Sequence, residues 1–281
     1  MAGTLFLVST PIGNLEDITL RALRLLREAD VIAAEDTRRT RGLLAHHGID
    51  TPMLSFHEHN TRTRLPRLMA RLEAGEKVAL VTDAGTPSIS DPGLELVRAC
   101  IDQGIEVDPI PGASAPLAAG VASGFPLAPW TILGFPPLRS KDRSGWWAVL
   151  SETRHTVTFF EAPHRIRRTL EEASLFLAER PIMVARELTK AHQEFLRGSA
   201  SALAQRLHSP RGEFTIVVGP IEVVEDTHVE VSDEVLASEF WRITETGNLG
   251  RRAAINRVAK EHGRPAREVY LAVEKHKKSV V

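Results

Sequence analysis

Several features that would narrow the function at once are missing from this chain. A single cysteine, Cys100, excludes an internal disulfide. It falls in the helical pattern Leu94, Leu96, Val97, Cys100, Ile101 and reads as a packed apolar side chain rather than a nucleophile. The start of the chain has only a short apolar run, residues 5–8 with Thr4 before it, and no basic leader. That argues against a signal peptide or a membrane span and for a cytoplasmic protein. No Walker-type glycine-lysine loop occurs, which disfavours a phosphate-loop nucleotide enzyme. His57 and His59 flank Glu58, but no third ligand has matching spacing, so no metal is expected.

What is present is an ordinary soluble composition, 43% hydrophobic and 25% charged, in 281 residues, enough for two domains. Neither charge sign dominates at a net −1, yet the distribution is uneven. Residues 236–281 carry ten Lys or Arg against five Glu, a net +5, leaving 25 basic and 31 acidic side chains, a net −6, in residues 1–235. A basic tail on an acidic body suits an anionic macromolecular partner, or is a solvated helical surface.

The chain alternates strands and helices, as an α/β protein does. Strands are predicted at 4–9, 31–34, 77–82 and 105–110, and helices at 18–29, 63–74 and 94–102, with Asp17, Thr37 and the segment Asp91-Pro92-Gly93 as caps. The segment LVTDAGTPSISDPG, 80–93, turns an apolar run into a loop and then a helix start. Such a loop at the carboxyl end of a strand is where open α/β sheets hold ligands, and Gly85 permits close backbone approach. TPIGN after the first strand is a second candidate loop. PGASAPLAAG, 111–120, is a third: Ser114 can cap, and its alanines let a helix lie close to a flat ligand or to another backbone.

A second set of strands is predicted at 130–135, 156–161, 182–186 and 213–219, with helices at 165–177 and 199–207. Trp146 and Trp147 either stack on bases or belong to a core. Beyond an acidic linker, three short helices are predicted at 233–244, 249–262 and 265–275, a module of helix-turn-helix size for nucleic acid, dimerisation or capping. The domains expected are 1–124, 125–224 and 225–281. Charged residues at strand ends suggest contacts to RNA: Arg38, in EDTRRTR, offers a forked donor pair to phosphate or is simply an exposed first-turn charge, and His57 is placed to hydrogen-bond or stack near substrate.

The ordered segments STPIGNLEDITLRA, AEDTRRTRGLL, SFHEHN, DAGTPSISDPG, PGASA, FFEAPHRI, ARELTKAHQE and GEFTIVVGP resemble the ribosomal RNA small-subunit methyltransferase I family, in the tetrapyrrole-methylase-like class of S-adenosylmethionine enzymes. The resemblance runs from residue 4 to about residue 275. It implies two α/β domains with the cofactor in the cleft between them, a small C-terminal helical module and a homodimer. It also implies 2′-O-methylation of a cytidine in the decoding region of 16S ribosomal RNA, free or in the assembled small subunit. Implied cofactor contacts are Pro11 and Ile12 in the first loop, Asp83, Gly85, Thr86 and Ile89 in the second, Ser114 and Ala115, and Phe160, Glu187 and Leu188 from the second domain. Only Gly13 survives as glycine in the first loop, which counts against a tetrapyrrole substrate.

A ribose hydroxyl is a weak acid, so a base, or a cation beside the developing alkoxide, would speed its methylation. Lys190 is the candidate, with Glu194 and Glu161 behind it; a structural or phosphate-binding Lys190 is the alternative. Arg165 joins Arg38 and His57 as a contact to RNA. The competing functions are a tetrapyrrole methylase, which does not account for EDTRRTR or the basic tail, and a non-catalytic RNA-binding assembly factor, which cofactor titration would distinguish.

Overall fold

The computed structural model describes residues 2–88, 93–177, 179–207, 211–221, 232–246, 249–262 and 264–277. They belong to two compact units, Met1–Ile221 and Glu222–Val281, each taken by itself.

In the first unit, β1 (Thr4–Val8), β2 (Val31–Ala34), β3 (Met53–Ser55), β4 (Lys77–Val81) and β5 (Glu106–Ile110) form a parallel sheet in the order β3-β2-β4-β1-β5. The central strands are continuous apolar runs because both faces are covered: all four residues of β2 are buried, as is every residue of β4 after Lys77. Alternate residues of β1 serve opposite faces. Leu5 packs with Leu68, Leu72 and Leu96, whereas Phe6 and Val8 pack with Leu25 and Leu26. Each such side chain contributes about 1.5–3 kcal/mol by leaving water.

The helices are α1 (Leu20–Glu28), α2 (Thr37–His46), α3 (Thr61–Glu73), α4 (Leu94–Asp102) and α5 (Ala115–Ser123). Two expected caps are corrected. Asp17 closes a short 3-10 turn, Leu15–Asp17, and the α1 cap is Thr19, whose hydroxyl accepts from Ala22 N–H at 3.1 Å. Asp36 rather than Thr37 caps α2, accepting from Arg38 N–H at 2.8 Å, since only a residue still in extended backbone can reach that donor. Gly93 precedes α4; Asp91 and Pro92 lie outside the described residues.

The second sheet holds β6 (Trp130–Ile132), β7 (Thr156–Glu161), β8 (Ile182–Arg186), β9 (Glu194–Gly198) and β10 (Phe214–Val218), in the order β6-β7-β10-β8-β9. Only the β6–β7 pair is parallel. Its helices are α6 (Ser140–Glu152), α7 (Ile166–Phe176) and α8 (Ala200–Arg206). Trp147 is core: it stacks on Phe176 with ring centroids 5.6 Å apart, and Trp146 packs beside it. The alanine-rich α5 lies against β10, and Ala119 shares a cluster with Met183, Ala185 and Val217. The small residues of PGASAPLAAG therefore admit another backbone.

In the second unit, α9 (Asp233–Thr246), α10 (Arg251–Glu261) and α11 (Ala266–Lys277) enclose their own core, with Leu236, Ala237, Phe240 and Ile243 at helical spacing against Val258, Val269 and Val273. Lys275 bridges to Asp233 at 2.7 Å, joining the last helix to the start of the first. Residues 222–231, read as an acidic linker, lie outside the described residues. Among the described residues no helix is long and apolar enough to cross a membrane.

Candidate active site

A parallel sheet delivers all its carboxyl ends to one edge, and the loops there are tied together. Thr10 and Gly85 exchange backbone hydrogen bonds of 2.9 and 3.0 Å, zipping the loop after β1 to the loop after β4. Gly85 has φ 85°, a left-handed conformation in which a side chain would be strained. Ser9 and Thr86 hydroxyls meet at 2.9 Å. Glu35, at the end of β2, accepts from Thr82 Oγ1 at 2.8 Å and from Asp83 N–H at 3.1 Å, and Asp83 Oδ1 accepts from Asp36 N–H at 3.1 Å.

This edge faces the second sheet across a cavity of about 400 Å³, ample for a nucleoside-sized ligand. Ile12, Asp83, Gly85, Thr86, Ser114 and Ala115 supply one side, and Phe160 and Leu188 the other, so eight of the eleven expected cofactor residues share one cavity. Pro11 and Glu187 are one residue removed from its wall, and Ile89 lies outside the described residues.

Leu188 is held by a strained turn. Glu187 and Thr189, on either side, have φ of 51° and 64°, uncommon for residues with side chains. The surroundings pin them: Asn14 N–H donates to Thr189 Oγ1 at 3.0 Å, Thr189 N–H to Gln193 Oε1 at 2.7 Å, and Glu213 N–H to Glu187 Oε1 at 2.9 Å. Lys190 Nζ completes the clamp, 3.0 Å from both Glu187 Oε1 and Glu213 Oε2. Burial alone would lower the Lys190 pKa, but the hydrogen bonds to Glu213 and Glu187 outweigh it and hold the ammonium above the ordinary lysine value.

All three expected catalytic side chains are engaged in ion pairs. Lys190 is a protonated tie between two glutamates and does not line the cavity. Glu194 begins β9, a strand that the sequence pattern does not predict, and pairs with Arg186 at 3.5 Å. Glu161 reaches the cavity, but its fully buried carboxylate is committed to Arg165 at 3.0 Å, Ala162 N–H at 2.9 Å and Thr169 Oγ1 at 2.5 Å. Arg165 is engaged with it. Its guanidinium turns inward to Glu161 and the Pro136 carbonyl instead of outward to phosphate. Arg38 stays 88% exposed, paired with Asp36 at 3.1 Å across the first turn of α2. His57 sits beyond the end of β3, with Nε2 3.0 Å from Asn60 Nδ2.

The wall also includes Glu35, Phe135, Glu213, Phe214 and Thr215, which the sequence did not single out. Their common signal is position: each lies at or just beyond a strand end.

Residues 4–204 match the model of the tetrapyrrole (corrin/porphyrin) methylases. The ribosomal RNA small subunit methyltransferase I of Halalkalibacterium halodurans is 46% identical over 276 residues, covering 95% of this chain and 93% of that protein. The protein of the same name from Synechocystis is 44% identical over 271 residues, covering 95% and 96%. The chain belongs to the ribosomal RNA small subunit methyltransferase I family. The methyltransferase I fold is shared with the uroporphyrin-III C-methyltransferase of Thermus thermophilus, solved as a complex with S-adenosyl homocysteine, at a TM-score of 0.56 and 19% identity over 77% of this chain and 97% of that one. Of the eight segments that carry the resemblance to methyltransferase I, all but SFHEHN place a residue on the cavity wall.

Proposed function

We propose that this protein transfers a methyl group from S-adenosylmethionine to the 2′-hydroxyl of a cytidine in the decoding region of 16S ribosomal RNA. The observation that carries the cofactor half is the cavity between zipped loops and the second sheet. It is apolar along Ile12, Ala115, Phe160 and Leu188, and polar at Thr86 and Ser114. A β-carbon at Gly85 would stand 3.5 Å from Ile12 Cγ2 and 3.8 Å from the Ala113 carbonyl, so the missing side chain leaves a cradle on that wall. A ligand with a flat base, a ribose and an amino-acid end suits such walls.

Bound there, S-adenosylmethionine supplies an electrophilic methyl carbon. Ile12, with Pro11 behind it, Gly85, Thr86, Ser114, Ala115, Phe160 and Leu188 hold and orient it, and Glu187 acts through the turn that carries Leu188. Alignment of the two reacting groups supplies much of the rate in such a displacement. RNA approaches the edge formed by the ends of β2 and β3, where Arg38 and His57 lie, and the basic C-terminal helices add phosphate contacts. The family resemblance supports a cytoplasmic homodimer acting on the RNA or on the assembled subunit.

The test is mass mapping of ribose methylation in small-subunit RNA from cells with and without the protein. Loss of one 2′-O-methyl cytidine is expected in its absence. An unchanged set of methylated cytidines overturns the proposal.

A further inference from the structure

Among the described residues four carboxylates line the cavity: Glu35, Asp83, Glu161 and Glu213. Three have evident duties. Glu161 is wholly buried and saturated by Arg165, Ala162 N–H and Thr169. Glu213 is tied to the Lys190 ammonium. Glu35 Oε2 holds the end of β4 through Thr82 Oγ1 and Asp83 N–H. Asp83 is different. Its backbone is fixed by Glu35, its Oδ1 takes one N–H from Asp36, and its Oδ2 faces Arg39, at 3.3 Å, whose side chain is 66% exposed. The Asp83 side chain itself is 24% exposed, so it is reachable from the cavity while held in place.

Resting on the ribose-methylation reading, we propose that Asp83 is the group that accepts the proton of the substrate hydroxyl. The ribose oxygen bonds to the donated methyl carbon as the sulfur–carbon bond breaks, sulfur keeps that electron pair, and the hydroxyl proton passes to the Asp83 carboxylate. The placement fits the approach of RNA. β4 lies beside β2 in the sheet, so Asp83 stands between the cofactor cradle at Gly85 and the edge that carries Arg38. The charged groups around Asp83 are Glu35, Asp36 and Arg39. Burial first, and then the nearby charge of Glu35, push its pKa above the ordinary aspartate value against the opposing pull of Arg39, which makes the carboxylate a better base.

The experiment uses the full-length protein, S-adenosylmethionine, and small ribosomal subunits from cells that lack the protein. Single-turnover methylation is followed from acid to neutral pH at saturating concentrations. Wild-type protein is expected to gain rate along an acid limb. At saturating cofactor, Asp83→Asn is expected to lose that limb and on the order of 100-fold or more in rate. Glu35→Gln is expected to keep the limb but move it to lower pH, because the charge that helps raise the Asp83 pKa is gone. If Asp83→Asn melts early, Asp83→Glu carries the test, and an acid limb that does not shift in it overturns the proposal. So does an Asn variant that retains rate and limb, or a limb lost in Glu35→Gln instead. A wild-type protein that methylates no ribose overturns the underlying ribose-methylation reading, an outcome distinct from an active wild type with an equally active Asp83→Asn variant.

Discussion

Gly13 and Lys190 meet where the loop after β1 reaches the second sheet: a β-carbon on Gly13 would stand 2.6 Å from Lys190 Cγ and 2.8 Å from the Leu188 carbonyl oxygen. The lysine stem can bend away, but the carbonyl is backbone. Gly13→Ala must therefore move the turn that sets Leu188 on the cavity wall. We expect a loss of about 1–3 kcal/mol in stability by thermal or urea denaturation, typical of overpacking. Cofactor affinity by calorimetry should weaken about tenfold, which corresponds to about 1.4 kcal/mol. Unchanged values for both would mean that the turn yields freely.

Lys190→Ala separates a clamp from a catalyst. With Lys190 only 30% exposed, its removal leaves Glu187 and Glu213 facing each other without a cation, and about 1 kcal/mol of stability should be lost. Single-turnover methylation at saturating cofactor and RNA should stay near the wild-type rate. A fall on the order of 100-fold, with cofactor still bound, would instead put Lys190 in the chemistry.

Glu161→Ala addresses the same distinction from the core. It strips a buried carboxylate from Arg165, and Arg143 Nη2 stands 3.9 Å away, with only 7% of its side chain exposed. Breaking such a buried pair costs about 3–5 kcal/mol. The expected result is a large fall in melting temperature that precedes and explains any loss of methylation.

Glu172 makes acid stability predictable. Burial pushes its pKa up, but hydrogen bonds from Arg143, Trp147 and Arg168 outweigh that and hold it below the ordinary glutamate value. A carboxyl with a lowered folded-state pKa contributes stability that is fully present above the unfolded value and is lost as pH falls through the folded one. Denaturation measured from neutral to acid pH should show this loss, and Glu172→Gln should flatten the acid part of the curve while lowering stability at neutral pH.

Removing residues 222–281 should weaken binding to small-subunit RNA and flatten its salt dependence, by about 0.7–0.9 in logarithmic slope for each phosphate that the basic helices no longer neutralise. Cofactor affinity should be unchanged. Equal weakening of cofactor binding would assign the second unit to folding of the first.

Much of this architecture is legible in the residues. The bounds of α4, β7 and β8 follow directly from apolar runs and helical spacing. β9 is not, because Glu194-Phe195-Leu196-Arg197-Gly198 buries only Leu196, so an edge strand leaves little periodicity to see. One side of the cavity is marked by the turn residues at strand ends. The other is harder to see, since Phe135, Phe214 and Thr215 come together only through the strand order of the second sheet. The setting of Lys190 is hidden in sequence for a related reason: Glu213, which holds it, is 23 residues away, and no local pattern announces that pairing.

The strand order of the first sheet bears also on how the protein is made. β1 emerges from the ribosome well before its neighbours: Leu5 pairs with Val78 on one side and with Val107 on the other. Until Ile110 has been synthesised, TLFLV cannot be enclosed on both edges. Such non-local pairing slows folding and leaves apolar backbone open to mispairing. The nascent chain should accordingly engage chaperones at this strand, and release should await β5.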